Sequence, residues 1–180
     1  MSAPGDRVLV WDAVVRVLHW SLAATVLFDF VVDDGGHVHR AVGYVAAAIV
    51  VLRLLWAALS RGTARWQVLK PSPRATLVYC RALLQGRASR HAAHDPLGLW
   101  MVWLVWTLVL LLGLTGWMSR LDAFWGDETV HDLHLWLSNA LLAAVVLHLA
   151  GVIAMSIVWR ENLPAGMLTG RKRRLDEDAR

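Results

Sequence analysis

Residues His131 to Trp159 read HDLHLWLSNALLAAVVLHLAGVIAMSIVW. Beyond its first turn the run suits lipid, and roughly 20 such residues are enough to cross about 30 Å of hydrocarbon. Two histidines, His134 and His148, stand inside it. A helix advances about 100° and 1.5 Å per residue, so fourteen residues bring the second imidazole to within about 40° of the first, about 21 Å further along. Polar groups at membrane depth are costly and are kept where they face other helices or bind something. A hydrogen bond to a neighbouring helix accounts for one buried histidine. Two on one stripe, at two levels, point to a bound group.

The rest of the chain has the same solvent preference. Its 180 residues are 57% hydrophobic with eleven Trp, and its mean hydropathy is +0.48, more apolar surface than the core of a soluble domain this size absorbs. Four stretches are long enough to span a bilayer: residues 13–32, 38–59, 97–119 and 133–159. The expected fold is therefore all-α, an integral membrane four-helix bundle forming a single domain over residues 1–180. The first stretch outruns a signal peptide and has no small-residue cleavage site, so it is expected to be retained.

Orientation follows from Lys and Arg, which keep short loops in the cytoplasm. Arg61, Arg65, Lys70, Arg74, Arg81, Arg87 and Arg90 lie between the second and third spans, and Arg160, Arg171, Lys172, Arg173, Arg174 and Arg180 follow the fourth. Both termini are expected to be cytoplasmic. The opposite face carries Asp29, Asp33, Asp34, Asp122, Asp127, Glu128 and Asp132 against Arg40 and Arg120. The net charge of +4 thus averages two unlike surfaces; the basic one suits anionic membrane lipid, and a nucleic-acid partner is not implied. The single cysteine, Cys80, leaves no internal disulfide.

In chain order, Asp12 is a natural N-cap for the first span, and His19 follows about one and a half turns in. Asp33-Asp34-Gly35-Gly36 is turn chemistry, and the second span opens His37-Val38-His39-Arg40. His39 and His134 are then both near the outer boundary, while His19 and His148 lie deeper, toward the cytoplasm. Each level pairs the fourth span with a different helix, as bis-histidine ligation of two stacked haems b requires. Small residues one turn away, Gly43, Ser138, Ala144 and Ala23, leave room for a flat macrocycle. Zinc or copper calls for ligands converging within a few ångströms and fits this split set poorly.

Arg53 follows His39 by fourteen residues, so it shares that face at the lower level. There it serves a haem propionate or a quinone oxygen, or else snorkels to the interface. Arg16 and Arg40, each near a proposed ligand, have the same two readings. Residues 74–87, RATLVYCRALLQGR, form a basic amphipathic stretch suited to the inner leaflet. Asp95-Pro96 is an N-cap with proline at the first helical position, starting the third span. That span has no histidine; its Trp100, Trp103 and Trp106 read as belt and packing. His131 falls in the loop before the fourth span, about 100° off the His148 stripe, so His134 is the better ligand.

These residues also carry a resemblance. WDAVVRVLHW with Trp11, Asp12, Arg16 and His19, HRAVGY from His39 to Tyr44, RLLW from Arg53, HDPLG from His94, the fourteen-residue histidine pair, and WRENL from Trp159 together resemble the prokaryotic cytochrome b561 family, which includes the b-type cytochrome subunit of nickel-iron hydrogenases. The resemblance covers nearly the whole chain. It implies four core helices and two haems b with axial iron ligands His19 with His148 and His39 with His134, and passage of electrons to or from a quinone.

The sequence therefore points to a dihaem membrane cytochrome of the bacterial inner (plasma) membrane. It would link the quinone pool to a periplasmic cytochrome c or to a dehydrogenase or hydrogenase subunit, with quinone oxidoreductase activity and a homo-oligomeric state both left open. The alternatives are a superoxide-oxidising quinone reductase of the same family, which seven outer acids disfavour, and a proton or metal transporter using the same histidines.

Overall fold

The computed structural model describes residues 7–32, 35–87, 90–91 and 93–174. The turn expected at Asp33-Asp34 and the tail cation Arg180 lie outside them. In chain order the elements are strand β1 (Arg7–Leu9), helices α1 (Ala13–Val31) and α2 (His37–Leu59), two short 3-10 turns, α3 (Pro73–Leu84), α4 (Pro96–Met118), a third 3-10 turn (Asp122–Phe124), α5 (Glu128–Val158), α6 (Leu163–Thr169) and strand β2 (Arg171–Arg173).

Helices α1, α2, α4 and α5 are each long and apolar enough to cross a membrane. Lipid offers no partner for a peptide group, so an apolar span satisfies its backbone within itself as a helix. All four leave large apolar side chains uncovered, among them Val31 at 82% exposure and Ile157 at 71%, surface that water would penalise and acyl chains would not.

Caps set the boundaries. Asp12 accepts the Val15 amide at 2.8 Å, Ser72 caps α3 through the Ala75 amide, and Asp95 accepts the Gly98 amide at 2.8 Å ahead of Pro96. Helix α3 stops at Leu84, short of residue 87: Gly86 takes a left-handed φ of 67° and the Arg87 amide reaches back to the Ala82 carbonyl, a Schellman closure. Helix α5 begins at Glu128 rather than 133, so His131, expected in a loop, is helical. Its start is polar and invisible to hydropathy. The Asp127 carboxylate accepts the Thr129 amide at 2.8 Å, and that bond holds the Asp127 carboxyl below the usual carboxylate range.

The chain divides into two compact units, one of Met1–Arg16, Trp56–Val102 and His148–Arg180, the other of Val17–Leu55 and Trp103–Leu147. In the first, β1 and β2 pair antiparallel with Arg7 opposite Arg173 and Leu9 opposite Arg171. The stretch before α1 is thus part strand. Gly170 makes this possible: at φ 79° it ends α6, and a Cβ there would stand 2.6 Å from the Trp11 carbonyl oxygen. Its own carbonyl accepts the Val10 and Trp11 amides. Val10, Trp11, Val15 and Ala64 form the buried cluster, with Trp56 and Met167 against it.

Two cations of this unit are not spread on a solvated surface as their charge alone suggests. Lys172 is 8% exposed, donates to the Ala93 carbonyl and lies 5.8 Å from the centre of the Trp11 ring; burial pulls its ammonium pKa down. Arg90 pairs with Glu161 at 2.8 Å and donates to the Arg173 and Arg174 carbonyls.

Candidate functional site

In the second unit, segments of α1, α2, α4 and α5 meet around two imidazoles. The ring centres of His39 on α2 and His134 on α5 are 6.3 Å apart, with planes at 74°. His39 Nδ1 lies 3.0 Å from the Val32 carbonyl oxygen at the end of α1. A carbonyl only accepts, so Nδ1 carries the proton and Nε2 is left with a lone pair. His134 Nδ1 lies 2.8 Å from the Thr115 hydroxyl on α4. Asp29 of α1 approaches His39 Nδ1 at 3.7 Å.

Small residues let these helices close up. A Cβ at Gly113 would stand 3.1 Å from the Ala47 Cβ, so α2 and α4 nearly touch there. One at Gly116 would lie 3.5 Å from His134 Cε1, and one at Gly43 would lie 3.4 Å from Asp29 Oδ2. Larger side chains at these places would press on the imidazole or on its carboxylate neighbour.

The other anticipated residues are placed as follows. Arg53 is 6% exposed with its guanidinium 5.5 Å from the centre of the Trp106 ring; it is buried within the helices and does not reach out from them. Arg40 donates to the Gly35 carbonyl at 2.7 Å and lies 3.0 Å from His37 Nδ1. Arg16, in the first unit, donates to the Leu168 carbonyl of α6 at 2.6 Å. His19 sits edge-on to Trp20 in the second unit. His148 is half-buried on α5 in the first.

Asp29 and Thr115 beside the pair, and Trp106 beside Arg53, were not anticipated as such. Asp29 carried a signal, being an acid inside an apolar run. Trp106 was visible only as one of a Trp series. Thr115 carried none, because threonine is common in membrane helices.

Four apolar helices that uncover their apolar flanks and bring two imidazoles together define a membrane protein with a histidine-lined interior site. A family model, prokaryotic cytochrome b561, matches residues 10–170. The chain belongs to that family: it is a membrane-embedded b-type cytochrome that binds haem and serves electron transfer. No curated protein and no solved structure matches it.

The His39–His134 site fits the haem that the family implies. Two imidazoles on opposite sides of one metal, each at a metal–nitrogen distance of about 2 Å, put their ring centres roughly 6 Å apart, and the spacing here is 6.3 Å. Each ring also has its Nδ1 within hydrogen-bond distance of an oxygen, so Nε2 would be the nitrogen to meet a metal.

Proposed function

We propose that this chain is a dihaem electron-transfer subunit of the bacterial inner membrane that connects a periplasmic redox partner with the quinone pool. His39 and His134 hold the outer haem, and His19 and His148 the inner one. The carrying observation is the pair of imidazoles 6.3 Å apart with both Nδ1 atoms engaged. The inner pair rests on sequence depth, the two histidines falling at matched positions toward the basic end of their spans. Among the described residues no three His, Cys, Asp or Glu side chains converge, and a two-imidazole donor set suits an iron whose other four ligands come from a porphyrin better than it suits zinc.

Bound haem supplies a one-electron carrier. His39 with His134, and His19 with His148, would hold the group, and the apolar helices would exclude water from it. Arg53, Arg40 and Arg16 would serve as counter-charges for propionates, with Gly43 keeping the α2 surface low beside His39. Of the three, Arg53 is the buried one, at 6% exposure, which keeps its charge among the helices rather than at their surface. The basic inner loops orient both termini to the cytoplasm. Exposed Asp122, Asp127, Glu128 and Asp132 face the other side and suit a cationic partner such as a cytochrome c.

A reduced-minus-oxidised optical spectrum with haem quantification tests this on the purified protein and on His134→Ala and His148→Ala. Two haems b per chain, with each variant losing one, supports the assignment. A chain that binds no haem, or variants that keep both, would overturn it and favour a histidine-dependent transporter.

A further inference from the structure

Helix α4 is the one span without a histidine, yet it supplies a hydroxyl 2.8 Å from His134 Nδ1. Thr115 is 3% exposed. Its Oγ1 lies 2.9 Å from the Leu111 carbonyl and 3.2 Å from that of Leu112, besides 2.8 Å from His134 Nδ1. A hydroxyl has one proton to give. Two carbonyls that can only accept stand within reach of it one turn back, the usual bond of a threonine inside a helix. The proton therefore goes to the backbone, and the oxygen's lone pair accepts from His134 Nδ1–H. That selects the tautomer whose Nε2 is bare.

We infer that Thr115 is a positioning residue for the His39–His134 haem: its hydroxyl accepts from His134 Nδ1, fixing the ligand's tautomer and ring plane from the span that carries no ligand. This rests on the ligation proposed above. Gly116, the next residue, keeps the α4 backbone low beside His134 Cε1, so ring and hydroxyl meet without displacement. An accepting oxygen behind Nδ1 makes the imidazole a stronger donor through Nε2, and a stronger donor favours ferric over ferrous iron. Val32 does the same for His39 through a main-chain carbonyl, which no side-chain substitution removes. Of the two supports, only Thr115 can be changed by mutation.

The test uses the full chain with haem bound, comparing wild type with Thr115→Val, Thr115→Ala and Thr115→Ser by redox titration and ferric low-spin paramagnetic resonance. Thr115→Val keeps the shape and removes the acceptor. The expected result is a higher midpoint potential and a shifted resonance for one haem, no change in the other, and roughly 10–100-fold weaker retention of the affected haem. Thr115→Ser, which keeps the hydroxyl, should restore the wild-type potential. If Thr115→Val does not fold, the Ser and Ala variants carry the comparison: equal potentials in the two overturn the assignment, and a wild-type-like Ser beside a shifted Ala supports it. A Thr115→Val protein with two haems and unchanged potential and resonance overturns the assignment alone. Two haems retained in His134→Ala overturn the ligation and the assignment with it.

Discussion

Tyr79 is 5% exposed, and among the described residues its hydroxyl has no hydrogen-bond partner. Its ring meets His91 edge-on. Burial first, then the charges of Asp95 and Cys80, push its pKa up to about 12. A phenol whose folded pKa is raised favours folding in full below its ordinary value near 10. That contribution is lost as pH rises through the folded value. Tyr79→Phe is therefore expected to flatten the loss of thermal stability between about pH 10 and pH 12. At neutral pH it should be neutral or stabilising by up to about 1 kcal/mol, since it replaces an orphaned polar atom with an apolar one. Melting curves in detergent across that pH range check both; equal alkaline slopes for the two proteins would show that another group governs the transition. Sequence reading placed this residue on a lipid-facing amphipathic stretch and had no means to see which side of α3 turns inward.

The elements depend on how close helices approach. Gly113 sits 3.1 Å, by its absent Cβ, from Ala47, at the crossing that brings His39 and Thr115 into one unit. Gly113→Leu is expected to push α2 from α4 and lower the content of the proposed His39–His134 haem by half or more, readable as a fall in total haem per chain. Gly170→Ala acts elsewhere: a methyl 2.6 Å from the Trp11 oxygen at φ 79° should cost about 2 kcal/mol and unpair β1 from β2, seen as a lower melting temperature with the spectrum of bound haem retained. The four spans were legible because hydropathy over 20 residues is a long, redundant signal. Their ends were less so, for the start of α5 depends on Asp127 and Thr129, two polar residues that hydropathy ignores. Strands β1 and β2 were not legible at all, since three-residue segments more than 160 positions apart carry no local pattern.

For the molecule as a whole, the proposed acidic outer face has a measurable consequence. Exposed Asp127, Glu128 and Asp132 stand at the start of α5, beside the proposed outer haem. Electron exchange with a cationic cytochrome c should slow as salt rises. Replacing the three with Asn, Gln and Asn should reduce the low-salt rate about tenfold and flatten its salt dependence. Stopped-flow rates at low and high ionic strength decide; rates insensitive to both salt and substitution would point to a partner that docks by apolar contact.

By itself the amino-acid sequence determined that the chain lies in a membrane and that four of its helices are long and apolar enough to cross it. These follow from composition and helical periodicity, both local. The tertiary structure decided what surrounds each imidazole. The Val32 carbonyl behind His39, the Thr115 hydroxyl behind His134, Trp106 beneath Arg53 and Trp11 beneath Lys172 come from different elements. Hydrogen bonds and ring contacts act over a few ångströms in space, and their partners are set by helix rotation and crossing, which a linear pattern does not encode.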